Sequence, residues 1–202
     1  MTARPTEPLT GGEFAQMLAC LDRRRRDDVR VGALLIALRV GLRRGEVIGL
    51  RLRDVLAVDG RVALSVRTLK QRSRRPRERV IPISNEDAAA LVLKYVAQVH
   101  RASHPDAPLF STMGKHGPWM KTAITPKAID YWVKRMAVRA GIRKRITAHS
   151  FRHGCATDML RGGSDLRTVQ QVLGHASIAS TSAYLHTSYE RCADAVARLT
   201  FA

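Results

Sequence analysis

Residues 31–46 read VGALLIALRVGLRRGE. From Val31 to Val40 the run is too continuously apolar for a surface helix, so a helix buried on most of its sides is predicted, ending at Gly41. Arg43 and Arg44 follow at once, and a further helix carrying Val47, Ile48 and Leu50 is predicted over roughly residues 44–52. A buried helix requires other elements around it, and the flanks supply them. Upstream, Thr10-Gly11-Gly12-Glu13 is a capping-box pattern ahead of Phe14, Met17, Leu18 and Leu21, whose spacing predicts a short amphipathic helix. Residues 1–9 read as a loose tail, and the charged run 22–26 as a solvated turn between helices.

Downstream, Asp59-Gly60 marks a turn. Residues 61–69 alternate as Val62, Leu64 and Val66, and Val80-Ile81-Pro82-Ile83 reads as a returning strand after an arginine-rich connection. A β-hairpin with a long basic tip is predicted. Helices follow over 85–101, with Asn85 as cap, over 126–140, closed by Gly141, and over 150–161, 165–173 and 177–199. Gly162-Gly163 and Gly174 are the breaks among the last three, and 102–126 reads as an extended loop. A single hairpin does not stand alone in water, so it must lie on the helical body. The predicted fold class is α+β, mainly α-helical, with a small antiparallel β-hairpin or sheet packed on that body.

The 202 residues include 35 Lys plus Arg against 17 Asp plus Glu, a net charge of +18. With 45% of residues apolar, wholesale disorder is excluded. No apolar run approaches the ~20 residues of a membrane span, and the first residues lack the order of a secretory signal, so a cytoplasmic protein with no membrane partner is expected. Cys20, Cys155 and Cys192 show no CxxC spacing, which argues against a disulfide scaffold or a cysteine zinc site. The charge points to a polyanion, double-stranded DNA foremost. The 28 arginines against 7 lysines suit bidentate phosphate binding, whereas an aromatic content of 5% is poor for stacking on single strands. Charge by itself names no reaction, since ribosomal and nucleoid proteins are as basic.

Six side chains of four kinds carry candidate chemistry. Thr147-Ala148-His149-Ser150-Phe151-Arg152 places His149 and Arg152 three apart, on one face of a helix beginning near Ser150, where both heads can converge on one phosphate. Leu173-Gly174-His175 puts a histidine just after a glycine break, and Tyr184 lies nine residues further on. Arg43 sits between two helices, and Lys70, the first lysine of the chain, stands at the start of the hairpin tip. Singly, each has a plain structural reading: His175 as a capping or core histidine, Tyr184 as packing. His149 and His153 are four apart, a metal-ligand spacing, but no HExxH glutamate and no third ligand accompany them, so no metal is expected.

Taken together and in order, Gly41-Leu42-Arg43-Arg44-Gly45-Glu46, a hairpin lysine, His149-x-x-Arg152, Leu173-Gly174-His175 and Tyr184 resemble the tyrosine recombinase (phage integrase) family from about Thr10 onward. The resemblance implies that family's catalytic-domain fold, and implies that Arg43, Lys70, His149, Arg152, His175 and Tyr184 are its six active-site positions. Glu46 matches the acidic residue that usually follows the first arginine. The chemistry suits these residue types. A phosphodiester repels nucleophiles and gains charge on its non-bridging oxygens in the transition state, and two guanidiniums can clamp those oxygens bidentately. That role falls to Arg43 and Arg152, with His175 as a third donor. Tyrosine, with a pKa of about 10, needs a base or a positive field to become a nucleophile. By the resemblance, Tyr184 forms a 3′-phosphotyrosyl link, Lys70 protonates the leaving 5′-oxygen, and His149 is the general base. No ATP, metal or other cofactor is then required.

Arg72, Arg74, Arg75, Arg77 and Arg79 are expected on the DNA backbone, with a solvated loop as the plainer alternative. The expected partners are double-stranded recombination sites. The resemblance further implies a homotetramer on synapsed DNA, a monomer or weak oligomer when free, and in some members a host DNA-bending protein. The expected layout is a catalytic domain over 10–186 and a C-terminal helical segment over 187–202, which is exchanged between protomers or folded back on its own domain. An N-terminal core-binding domain, usual in integrases, is not expected, and the length is similar to that of fimbrial phase-variation invertases. Two other functions compete with recombination: DNA relaxation of the type IB topoisomerase kind, and a non-catalytic DNA-binding accessory protein.

Overall fold

The order of the elements follows from where apolar periodicity is broken. In the computed structural model, the structure describes residues 7–67, 78–100, 104–112 and 122–174. Helix α1 (Gly11–Ala19) starts as its capping box dictates: the Glu13 amide donates to Thr10 Oγ1 at 3.2 Å, and the Thr10 amide donates to Glu13 Oε2 at 2.9 Å. Helix α2 (Arg26–Arg39) is the buried centre, with every residue from Val31 to Leu38 inside. It packs against α4 (Glu86–His100) and α6 (Ala148–Arg161). Gly32 permits the first of these contacts, because a Cβ there would stand 2.5 Å from Leu91 Cδ2.

Gly41, at φ 94°, turns the chain sharply from α2 into α3 (Arg44–Gly49). The predicted helix over 44–52 stops early: one 3₁₀ turn over Leu52–Asp54 leads into β1 (Val55–Val58). The expected antiparallel hairpin or sheet is present as a three-stranded sheet in the order β1–β2–β3, the hairpin of β2 (Arg61–Arg67) and β3 (Glu78–Pro82) gaining β1 as an additional strand. The extra strand exists because Asp59 (φ 49°) and Gly60 (φ 72°) form a two-residue left-handed turn, the type that folds two strands together. That turn pairs Val58 with Arg61 and Val55 with Leu64. On the other edge of β2, Ala63 pairs with Pro82 and Arg67 with Glu78. Strand β2 is buried from Val62 to Val66 and contacts both α3 and α4, so its two faces are covered rather than one.

The segment expected as an extended loop is tied down where it is described. Arg51 bridges Pro108, and Ser111 bridges Ala123. Phe110 stacks on Tyr95 at 5.5 Å between ring centres, and the Tyr95 hydroxyl donates to the Leu109 carbonyl. Helix α5 (Pro126–Arg139) begins with Thr125 as cap and proline in its first turn, and ends before Gly141. Helix α6 begins at Ala148, two residues before the predicted start, because Thr147 is its cap. Helix α7 (Leu166–Leu173) is capped by Asp165 and ends on Gly174 in the left-handed conformation. Among the described residues no helix is long and apolar enough to cross a membrane.

Candidate phosphate-binding site

A cleft of about 560 Å³ opens between α3, α5 and α6. Its walls include Arg43 and Glu46 on one side and His149 and Arg152 on the other, two pairs more than a hundred residues apart in sequence. Three local devices bring them together. Arg43 is the N-cap residue of α3, half-buried just after the Gly41 turn. Glu46, one turn on, accepts the Arg43 amide at 2.7 Å and Arg43 Nη1 at 2.9 Å. His149 and Arg152 lie one turn apart on α6, as their spacing predicts.

Arg152 is only 4% exposed. It donates to the Gly41 carbonyl at 2.5 Å and to the Leu173 carbonyl at 2.6 Å. Arg43 reaches the same Leu173 carbonyl at 3.3 Å and the Gly174 carbonyl at 3.1 Å. The two guanidiniums therefore meet at the C-terminal end of α7, where helix carbonyls have no intrahelical donors left. Carbonyls orient a guanidinium without cancelling its charge, and the one carboxylate of Glu46 is shared between Arg43 and Arg79, so the cleft keeps an excess of positive charge for an anion.

Glu46 has a fully buried side chain. Burial pushes its carboxyl upward, but hydrogen bonds from Arg79 and the Arg43 amide, with the charges of both arginines, outweigh this and hold it below the ordinary value of 4.5. It stays ionised and fixes Arg43. The imidazole of His149 moves the other way for a base: burial, then the charges of His153 and Arg152, lower it below 6.5. At neutral pH it is therefore uncharged and able to accept a proton.

Arg79 departs from the expected DNA-backbone contact. Its side chain is 12% exposed and turned inward, with Nη1 and Nη2 on the two Glu46 oxygens at 3.1 and 2.8 Å and Nε on the Val172 carbonyl at 2.9 Å. Lys70, Arg72, Arg74, Arg75, Arg77, His175 and Tyr184 lie outside the described residues, as does the 187–202 segment. The sequence reading left two further cleft residues unassigned. Arg44 and Asp130 form an exposed ion pair at 2.7 Å across the mouth. Arg44 carried a signal through its place beside Arg43, whereas nothing in the sequence singles out Asp130.

The structure is a mainly helical domain with a small sheet and an arginine-lined cleft suited to an anion, and comparison with known proteins gives its family. The chain belongs to the phage integrase family, whose model matches residues 7–191. It is 32% identical over 182 residues to the tyrosine recombinase XerD of Lacticaseibacillus casei, covering 89% of this chain and 58% of that protein. It is 36% identical over 157 residues to XerC of Methylobacterium sp. (strain 4-46), covering 78% and 44%. The chain thus spans about half the length of these relatives. Among solved structures, XerA recombinase superposes with a TM-score of 0.75 at 24% identity, covering 100% of this chain and 67% of the other. The catalytic domain of bacteriophage HP1 integrase gives 0.60 at 19% identity, covering 96% and 95%. These likenesses show the tyrosine recombinase catalytic-domain fold.

Proposed function

We propose that this chain is the catalytic domain of a site-specific DNA recombinase that cuts and rejoins strands through a 3′-phosphotyrosyl intermediate. The observation that carries the reading is the convergence of Arg43, Arg152 and His149 on one cleft beside the end of α7, one residue before His175. Relatives support it: they are named tyrosine recombinases, and the solved XerH complex contains its difH DNA substrate.

In the proposed reaction Arg43 and Arg152 bind the non-bridging oxygens of the scissile phosphate, with His175 as a third donor. The Tyr184 oxygen attacks phosphorus while its proton passes to neutral His149. The bond from phosphorus to the 5′-oxygen breaks, and Lys70 protonates that oxygen to give a free 5′-hydroxyl. A 5′-hydroxyl from a second strand then attacks the phosphotyrosine, releasing Tyr184 and forming the new phosphodiester. One ester is exchanged for another at each step, so no nucleotide hydrolysis is needed, and the guanidiniums supply the cationic stabilisation. Arg72, Arg74, Arg75 and Arg77 hold the flanking backbone. Two synapsed sites call for four protomers, and residues 187–202 are the segment that links neighbours. A host DNA-bending protein and a cytoplasmic setting complete the proposal.

A nicked duplex that loses the short 5′-hydroxyl fragment after cleavage traps the intermediate. The unaltered chain should give an adduct that survives SDS and chelator, and Tyr184→Phe should give none. An adduct that persists in Tyr184→Phe would sink the nucleophile assignment. Exchange between two sites on a plasmid, rather than relaxation alone, separates recombination from topoisomerase activity.

A further inference from the structure

The Gly174 amide caps α7 on the Gln171 carbonyl, and three guanidiniums take the carbonyls beyond it. Arg79 takes the Val172 carbonyl, Arg152 and Arg43 share that of Leu173, and Arg43 takes that of Gly174. Two of the three, Arg43 and Arg152, line the cleft, so donors that turn to a phosphate are drawn from the helix end. Arg79 lies outside the cleft lining, on β3, behind the pair it supports.

Its position is unusually well determined. The two forks of its guanidinium match the two Glu46 oxygens, and the same Glu46 holds both the backbone amide and the side chain of Arg43. Gly174 makes room for it: a Cβ there would stand 2.7 Å from Arg79 Nη1, in addition to needing the left-handed backbone at φ 62°. Strand pairing sets Arg79 opposite Val66, at the base of the connection between β2 and β3 that carries Lys70.

Resting on the recombinase reading above, we propose that Arg79 is a positioning residue for the phosphate clamp. Through Glu46 it orients Arg43, and through the Val172 carbonyl it keeps the end of α7 in place when Arg43 and Arg152 engage DNA. A lysine cannot substitute fully, since a single ammonium cannot grip both carboxylate oxygens and the carbonyl in one plane.

The test compares two scissile phosphates in the full 202-residue chain. On a nicked duplex, Arg79→Met should lower single-turnover cleavage about 100-fold, with the Kd for that duplex changed by less than about 3-fold. On the same duplex with a methylphosphonate at the scissile position, which lacks the negative charge the clamp neutralises, the deficit should shrink to about 5-fold. A general loss of folding would lower both rates alike, and circular dichroism monitors it directly. Should Arg79→Met fail to fold, Arg79→Lys takes its place, with a deficit of about 10-fold and the same dependence on the phosphate charge. Wild-type rates in the variants, or equal deficits on both substrates, would overturn the inference. Absence of any adduct with the unaltered chain would instead overturn the recombinase reading, and the inference with it.

Discussion

Two arginine-bearing clefts stand on opposite sides of Glu46, and they use their arginines differently. The cleft between α3, α5 and α6 contains Arg152, whose guanidinium rests on the carbonyls of Gly41 and Leu173, and Arg43, which reaches the carbonyls of Leu173 and Gly174 and shares the one carboxylate of Glu46 with Arg79. The second, about 460 Å³, lies between the 3₁₀ turn and β2 and is lined by Arg51, Arg53 and Arg67 together with Asp54 and Asp106. There Arg53 is ion-paired with Asp106, and Arg51 donates from its amide to Asp54 and from its side chain to the Asp106 carbonyl. A carboxylate neutralises a guanidinium, whereas a carbonyl only aims it. Density of arginine therefore does not by itself mark an anion site: Arg152, held on two carbonyls, is aimed with its charge intact, whereas Arg53 is already paired with the Asp106 carboxylate.

The largest effect expected from this contrast is kinetic. Arg152→Lys should lower cleavage of the nicked duplex by roughly 10²- to 10³-fold, because an ammonium cannot reproduce the planar fork that spans two acceptors. Arg53→Lys, in the other cleft, should change it by less than about 3-fold, since an exposed ion pair contributes little. Comparable losses in both would break the comparison.

The next effect concerns Glu46, the carboxylate shared by both clefts. Glu46→Gln leaves the Arg43 and Arg79 guanidiniums without their buried counter-charge and should cost about 3 kcal/mol in urea unfolding at neutral pH. Its pH dependence carries a definite sign. Because the folded carboxyl lies below 4.5, the unfolded chain binds the proton more readily, so the stabilisation is fully present above that value. It disappears as pH falls through the lowered folded value. The gap between wild type and Glu46→Gln should close in acid; a gap that stays constant would show that the charge of Glu46 is not what stabilises.

The smallest effect separates the clefts by titration. With His149 held below 6.5, the acid limb of the cleavage profile should lie under the ordinary histidine value, and His153→Gln, which removes one of the charges responsible, should move that limb upward. Arg53→Lys should not move it at all.

Local chemistry made much of this molecule legible from its residues. Thr10 with Glu13, Thr125 with Pro126, and Asp165 are capping signals that act over three residues, and each opens a helix where it should. The apolar run to Val40 predicts burial because no face of it is polar enough to meet water. Strand β1 escaped notice for the opposite reason: four residues, Val-Leu-Ala-Val, show no alternation, and only their pairing with β2 makes them a strand. The Asp59-Gly60 signal was present, but its meaning depended on what preceded it.

The site divides along the same line. The amino-acid sequence determined which groups are available: guanidiniums able to hold a phosphate, imidazoles able to donate or carry a proton, and a phenol able to attack, in an order that resembles one family. Helical spacing alone placed His149 and Arg152 on one face. Tertiary structure decided the employment of each charge. Arg79 is chemically identical to Arg72, Arg74, Arg75 and Arg77 in the run before it, and no local rule separates them. Strand pairing carried it inward to Glu46, 33 positions away in the chain, and the cost of burying that carboxylate without a counter-charge keeps it there.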